Sequence, residues 1–557
     1  MARSESTILP GTQSTTAGDL IAAQSKAIQG RDSILIAPAS WVRMLCSSRP
    51  VFIAVLIVEV VALYVLKFPL LYNFNSFAFW DSGSYLATHY LLQQGHEPFT
   101  YFGWQYGLLP LLIQELGFRL LGASPASFLC LSVPCFVAVA LVMGRIALLE
   151  GGTAGRFLLI LSLPLILAFE PDLPHSLEAA LLSLGLLSQV RARHDQALAF
   201  STAACFTKPS MGYLYGLVLL IWTFRHTQLQ LLPATSGQAA SAPGLSARAT
   251  HFIGRSLSTL IPAAGTGLAL TLLLSTVFGR QAVFRSLLPL SGARAYRALH
   301  FGWRGSAHEL LYFPGVKLGY YLGTPVGFWA CATLYLIIAA VALTCVVVKK
   351  NEFWAVNYEI VLTCAVLHLG FIALLYGSPA SWTYYAYVLI AGIIATETAW
   401  AFAPGPITLL CALAVLANYT WLCSALKAWR TTQRSPATAG LFVSPPERIE
   451  WTEISSAIGP QHPALLVQLG GAQVLFTWLS KPTAAFMIPG VASDAEVKRE
   501  TLQLRSAGAV IIPTIPEFRE SPVRWMGPEF QNALVGATAV FKGNYFEVYE
   551  RRITYQP

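Results

Sequence analysis

The chain has 557 residues, of which 55% are hydrophobic and only 11% are charged, and its mean hydropathy is +0.57. A soluble protein carries about 25% charged residues, so the composition excludes a purely soluble protein and indicates a polytopic membrane protein with enough chain left for one soluble domain. The net charge of +9 does not indicate nucleic acid as a partner. Lys and Arg gather in the cytoplasmic loops of membrane proteins and near anionic head groups.

The nine cysteines lie mostly inside apolar segments, and no CxxC or Cys/His metal spacing appears. Disulfides and structural zinc are therefore not expected. We expect no cofactor.

The N-terminal 1–48 are predicted to form a flexible cytoplasmic tail, since residues 1–40 are rich in Ser, Thr, Gly, Ala and Gln and lack the features of a signal peptide. Arg43 and Arg49 precede the first apolar span, at about 51–72. Basic residues before a first span favour a cytoplasmic N-terminus. The first outer loop, 73–123, then lies on the opposite side of the membrane.

Later apolar segments bring the predicted number of transmembrane helices to about eleven. They lie at about 124–144, 157–169, 176–190, 195–206, 210–225, 256–278, 325–348, 355–375, 384–402 and 406–424. Several are shorter than the roughly 20 residues that a full crossing needs. If Leu108–Leu121 is an interfacial helix, the basic clusters between later spans all fall in the cytoplasm, as the positive-inside trend requires.

The composition changes after about residue 446, where charged residues return. Short apolar runs predict strands, and they lie at Ala464–Leu469, Ala484–Ile488, Ala509–Ile512 and Tyr545–Tyr549. Asp494–Ser506 is predicted to be an amphipathic helix. We therefore expect 446–557 to form a small α/β domain on the outer face, behind a transmembrane domain at 49–425.

Asp81 begins the most informative stretch of the first outer loop, and Tyr85 and His89 follow it at helical spacing. An acid at a membrane surface is often merely solvated, or paired with a basic residue. As a general base, it would take a proton from an acceptor hydroxyl that attacks C1 of a sugar. With phosphate as the leaving group, one base and a nearby cation would suffice.

The same topology places several cations on the outer side. Lys208 stands before Pro209, between two short apolar segments. Loop 279–324 adds Arg280, Arg285, Arg294, Arg297 and Arg304. Arg binds phosphate through paired hydrogen bonds and Lys as a point charge. These residues either hold a phosphate ligand or contact anionic lipid head groups.

Glu170 and Asp172 precede the segment that starts at His175. They would hold a sugar or a metal, or else cap the N-terminus of that helix.

Taken together, these motifs resemble the GT-C superfamily of integral-membrane glycosyltransferases, in particular its protein O-mannosyltransferases and aminoarabinose transferases. The resemblance covers roughly 50–425 and an outer C-terminal domain. Its residues are Asp81, Tyr85, Gly95-His-Glu-Pro98, Leu109-Pro110-Leu111, Leu120-Leu-Gly122, Thr207-Lys208-Pro209 and the Tyr-Tyr-x-Tyr run that holds Tyr384 and Tyr385.

The resemblance implies an inverting transferase in the plasma membrane (the inner membrane of a bacterium), with a polyprenyl-phosphate sugar as donor and a glycan, lipid or protein as acceptor. Asp81 would be the catalytic base, and Lys208 with the loop arginines would hold the donor phosphate. The family often has Asp-Glu or Asp-x-Asp where this chain has Asp81-Ser82, which argues against a metal. A lipid-linked sugar flippase and a non-catalytic membrane subunit remain the alternatives.

Overall fold

The computed structural model of the chain describes residues 46, 48–78, 81–167, 172–231, 245–288, 358–374, 385–395, 422–423, 425–458, 463–467, 471–485, 487, 491–514 and 528–551. Glu170, Arg294, Arg297, Arg304 and Tyr384 lie outside these ranges, as do the predicted span 325–348 and the tail up to residue 45.

The first part of the described chain is helical. Its helices are α1 Arg49–Leu71, α2 Phe74–Ala78, α3 Asp81–Gln93, α4 Leu108–Leu121, α5 Pro125–Glu150, α6 Gly152–Ile166, α7 Leu173–Val190, α8 His194–Cys205, α9 Pro209–Leu231, α10 Leu245–Phe278, α11 Arg280–Leu287, α12 Tyr358–Leu374 and α13 Ala386–Ala395. With the small sheet described below, this architecture confirms the predicted mostly helical fold class.

Three helices of the described residues are long and apolar enough to cross a membrane: Arg49–Leu71, Pro125–Glu150 and Leu257–Phe278. On α1, Val58 and Val61 are exposed by 67% and 56%, as expected of side chains that face lipid. The predicted number of about eleven spans, and the side of the membrane on which each loop lies, stay predictions.

Helix α7 lies in the middle of the helical part. It packs against α5 and α8, and α8 in turn packs against α9 and α10. Apolar side chains from most of these helices form one continuous core, with Val139, Leu182 and Leu219 fully buried. Polar side chains on α7 are consequently enclosed as well, including Asp172 and His175 at its N-terminal end.

The C-terminal region carries a four-stranded sheet of order β3-β4-β6-β5. A two-stranded β1/β2 pair and four helices accompany it. The elements are β1 Gln433–Arg434, β2 Phe442–Val443, α14 Pro445–Ile458, β3 Ala464–Leu466, α15 Gly471–Leu475, α16 Asp494–Ser506, β4 Ala509–Pro513, α17 Pro528–Ala533, β5 Thr538–Lys542 and β6 Phe546–Glu550. Strands β3 and β4 are parallel, and the other pairs of this sheet are antiparallel.

The sequence predicted β3, β4, β6 and α16 close to their observed bounds. It was wrong about Ala484–Ile488, which is not strand at residues 484, 485 and 487. The neighbouring segment takes the place beside β3, where Leu479 pairs with Ala464. Strand β5 was not among the predicted strands; most of its residues are exposed and its apolar run is only Ala539-Val540-Phe541.

The first outer loop and the C-terminal region share one hydrophobic core. Phe74 of α2 packs on Trp451 of α14 with ring centroids 4.6 Å apart. The backbone N–H of Phe442 donates to the Tyr72 carbonyl at 2.9 Å, and α15 packs directly on α3. The first outer loop, which carries Asp81, therefore packs directly against the C-terminal region.

Candidate active site

Asp172 lies at the N-terminus of α7 and is 2% exposed. Its Oδ1 accepts the backbone N–H of His175 at 2.8 Å, which caps the helix as one of the two sequence interpretations predicted. The His175 Nδ1 lies 2.6 Å from Oδ1, and the Tyr85 hydroxyl donates to Oδ2 at 3.1 Å. Both carboxylate oxygens therefore have partners, and Asp172 ties α7 to α3.

Glu178 lies further along the same helix and is also 2% exposed. Its Oε2 accepts the Tyr385 hydroxyl at 2.5 Å and lies 3.7 Å from the Lys208 Nζ, an ion pair longer than a hydrogen bond. Its Oε1 is buried and has no hydrogen-bond partner among the described residues. A buried carboxylate oxygen in this state is an acceptor available to a ligand.

Lys208 lies between the faces of two tyrosines. Its Nζ is 5.9 Å from the ring centroid of Tyr106 and 5.8 Å from that of Tyr385. Aromatic faces stabilise a cation within about 6 Å. Lys208 keeps partial access to solvent, with 12% of its side chain exposed.

The turn before α9 fixes the position of Lys208. The backbone N–H groups of Gly107 and Leu109 donate to the carbonyls of Thr207 and Phe206 at 2.8 Å and 3.0 Å. Gly107 permits this approach, because a Cβ there would lie 2.0 Å from the Phe206 oxygen. The main chain of the first outer loop is therefore held against the Lys208 turn.

Aromatic rings join the two acids into one site. The Tyr106 ring stacks on that of Tyr85 at 6.2 Å and meets the His175 ring edge-on at 5.5 Å. The Trp104 ring lies 5.8 Å from Tyr85, and its indole N–H donates to the Gly107 carbonyl at 3.0 Å. Tyr106 contacts Lys208 and also Tyr85 and His175, which are the hydrogen-bond partners of Asp172. The surroundings of Asp172 and of Glu178 therefore line one continuous region.

His89 lies one turn after Tyr85 on α3 and contacts α4. Its Nδ1 lies 2.8 Å from Glu115 Oε2 on α4. On the same helix, Gln114 donates to the Tyr85 carbonyl at 3.1 Å. Helix α4 therefore fixes the orientation of α3, and the predicted contact of His89 with substrate stays a prediction.

Asp81 is the first residue of α3, and Tyr85 lies four residues later. Residues four apart lie on the same helix face, so the backbone places Asp81 on the face of α3 from which Tyr85 reaches Asp172. The side chain of Asp81 is not among the described atoms.

Arg280 and Arg285 lie on the exposed side of α11. The guanidinium of Arg285 donates to the Phe99 carbonyl at 2.6 Å, which ties α11 to the first outer loop. Arg285 thus has a hydrogen-bond partner within the protein, and its position can be explained without a bound phosphate. A role in binding donor phosphate stays a prediction for both.

Glu178 and Tyr106 were not among the site residues predicted from the sequence. Glu178 lies inside the apolar run of α7, where an acid needs a partner, and that rule was the available signal. No group of three or more His, Cys, Asp or Glu side chains able to hold a metal occurs among the described residues. Chemically, the site offers a partly buried cation, a carboxylate oxygen without a hydrogen-bond partner among the described residues, and an aromatic wall.

No protein-family model matches the chain, and a comparison with curated proteins finds no match. Two solved structures are similar to it, both of ArnT from Cupriavidus metallidurans, an aminoarabinose transferase of the GT-C superfamily. The structure bound to undecaprenyl phosphate has 12% identity and a TM-score of 0.47. The apo structure has 13% identity and a TM-score of 0.32. Each covers 88% of this chain and 97% of its own.

Proposed function

We propose that the chain is a membrane glycosyltransferase that moves a sugar from a polyprenyl-phosphate donor to an acceptor hydroxyl at the outer leaflet. In this proposal the N-terminal 1–48 are cytoplasmic, 49–425 form the transmembrane domain, and 446–557 lie outside the cytoplasm. The observation that carries the proposal is the setting of Lys208.

Lys208 has the properties of a phosphate-binding cation. Its ammonium lies at a partly open position, between the ring faces of Tyr106 and Tyr385 and 3.7 Å from Glu178. A cation in a mostly buried site needs a counter-charge when the site is empty, and Glu178 supplies it. A donor phosphate would then bind beside the ammonium as a second anion.

Asp81 is the proposed base. The acceptor oxygen attacks C1 of the donor sugar while the bond from C1 to the phosphate oxygen breaks, and polyprenyl phosphate leaves. The acceptor proton passes to Asp81. Tyr85, held by Asp172, fixes the face of α3 on which Asp81 lies. The open oxygen of Glu178 is placed to accept a hydrogen bond from a sugar hydroxyl.

The proposal is tested by binding of undecaprenyl phosphate to the full chain in nanodiscs, comparing Lys208→Ala with the wild type. Loss of a charge-assisted contact costs about 1.5–3 kcal/mol, so we expect affinity to fall roughly tenfold to a hundredfold. Lys481→Ala is the matched control, because its Nζ also lies over a tyrosine ring, 5.7 Å from the centroid of Tyr90. It should bind normally.

Equal affinity in Lys208→Ala and the wild type would remove Lys208 from the phosphate site. Absence of sugar transfer by the wild type, with polyprenyl-phosphate sugars of several kinds, would remove the transferase itself and leave a lipid-phosphate binding protein.

A further inference from the structure

Glu496 is a buried acid of the C-terminal region that the proposed chemistry does not use. It lies on α16 and is 0% exposed. Its Oε2 accepts the backbone N–H of Ser493 at 2.8 Å, which completes the capping box of α16. The same oxygen accepts the backbone N–H of Gly103 at 2.6 Å. Gly103 belongs to the first outer loop, 393 residues away in the sequence.

The contact leaves no room for a side chain at position 103 of the loop. A Cβ on Gly103 would lie 2.2 Å from the Val491 carbonyl oxygen and 3.1 Å from Glu496 Oε2. Glycine at this position therefore allows the loop backbone to lie directly on the N-terminal end of α16.

A second contact lies beside the first. The Arg499 guanidinium carbon is 3.7 Å from the ring centroid of Tyr101, and the guanidinium also donates to the Tyr101 carbonyl. The His96 ring stacks on the other face of Tyr101, with centroids 3.5 Å apart. Arg499 also donates to the Thr483 carbonyl of its own region at 3.2 Å, which fixes the guanidinium.

These contacts lie next to the proposed site along the chain. Trp104 follows Gly103 directly, and Tyr106 is two residues further on. The Trp104 ring contacts Tyr85 and Tyr106, and Tyr106 faces Lys208. A shift of the backbone at 101–103 would therefore move the aromatic wall of the site.

We propose that Glu496 is a positioning residue, and that with Arg499 it clasps the first outer loop so that Trp104 and Tyr106 are held beside Lys208. The link to catalysis rests on the proposed function, whereas the clasp itself does not. The C-terminal region thus completes the site from outside the transmembrane helices.

The clasp responds to pH. Burial raises the pKa of Glu496 to about 7, against the opposing effect of the N–H groups of Ser493 and Gly103. The loop backbone at Gly103 covers Glu496 and contributes to this burial, so undocking returns the carboxyl toward its ordinary pKa, and the clasp weakens as pH rises from about 5 to about 7.

Other titratable or charged groups lie close to Glu496. Arg499 and Glu500 share its helix, and His96 lies on the loop. Burial raises the pKa of Glu500, and burial followed by the charge of Arg499 lowers the pKa of His96. Glu500 contacts Thr483 of its own region and provides the control for Glu496.

The test is hydrogen–deuterium exchange of the full chain in nanodiscs, followed on a peptide that covers residues 99–107. We expect Glu496→Ala to speed exchange in this peptide by about fivefold or more, because the Gly103 N–H loses its hydrogen-bond acceptor. Glu500→Ala removes a buried acid one turn further along the helix and should leave the peptide unchanged. Gly103→Ala breaks the clasp from the loop side, because its Cβ would clash with the Val491 carbonyl, and should match Glu496→Ala.

A pH series separates the clasp from a merely structural role. After correction for intrinsic exchange, the wild-type peptide should exchange about tenfold faster at pH 8 than at pH 6. Glu496→Gln keeps an oxygen for Gly103 and should lose this pH dependence, whereas Glu500→Gln should retain it. The proposal is overturned if Glu496→Ala leaves exchange unchanged, or if Glu500→Ala speeds it as much.

Sugar transfer is measured on the same samples. If the wild type transfers no sugar and binds no undecaprenyl phosphate, the proposed function fails while the exchange comparison still decides the clasp. If the wild type is active, we expect Glu496→Ala to lower kcat, with recovery in Glu496→Gln at pH 6. Normal kcat in Glu496→Ala together with faster exchange would show that the clasp does not position the site.

Discussion

Two buried acids on α7 have the same 2% exposure but opposite surroundings. Asp172 has partners on both oxygens, from Tyr85 and His175. Glu178 has Tyr385 and a distant Lys208 on one oxygen, and no partner among the described residues on the other.

The difference separates a residue that holds the site together from one that is open to a ligand. A carboxylate whose acceptor sites are used gains nothing by binding sugar, since it would have to break existing hydrogen bonds. An unused buried oxygen beside a cation gains a hydrogen bond when a ligand arrives. We therefore propose that substrate contacts Glu178 and Lys208, and that Asp172 fixes Tyr85.

The largest expected effect concerns Asp81. Its replacement should lower turnover, whereas replacement of the two acids of α7 should change stability or ligand binding. Asp81→Asn keeps size and polarity, so folding and undecaprenyl phosphate binding should be unchanged. Turnover should fall by about 10²–10⁴-fold, the usual contribution of a general base. A purified variant with normal turnover would remove Asp81 from catalysis.

The comparison of the two acids is tested directly by a matched pair of isosteric changes. Asp172→Asn puts an NH₂ group where a donor now points, so we expect a loss of about 1–3 kcal/mol in stability. Glu178→Gln can keep its oxygen toward Tyr385 and place the NH₂ where the unpartnered oxygen lies. The loss of stability in Glu178→Gln should therefore be smaller than in Asp172→Asn.

Thermal unfolding of both variants measures the difference. Undecaprenyl phosphate should bind Glu178→Gln at least as tightly as the wild type, because an anion beside Lys208 has been removed. Equal destabilisation by the two changes would contradict the distinction between them.

The smallest effect is expected from Tyr385→Phe. The change removes the hydroxyl that donates to Glu178 and keeps the ring face near Lys208. Stability should fall by about 0.5–1.5 kcal/mol, the net value of one hydrogen bond, and undecaprenyl phosphate affinity should stay within a factor of two or three. A larger loss of affinity would show that the hydroxyl, rather than the ring, matters for the cation.

The sequence by itself determined the class of protein and much of its local structure. A low share of charged residues and long apolar runs require a membrane environment, because water would not favour so much apolar surface. The amphipathic pattern of Asp494–Ser506 predicted α16 at its observed bounds, since such spacing acts over a few residues. Lys208 and Asp172 were identified as candidates because charge beside an apolar segment is conspicuous.

Only the tertiary structure decided which of these groups meet. Glu178 pairs with Tyr385 across 207 positions, and Glu496 reaches Gly103 across 393. Periodicity and composition describe near neighbours, whereas such contacts depend on how helices and loops pack around a shared core. The roles of Asp172 and Glu178 differ for the same reason: both are acids near one end of one helix, and only the partners brought by packing distinguish them.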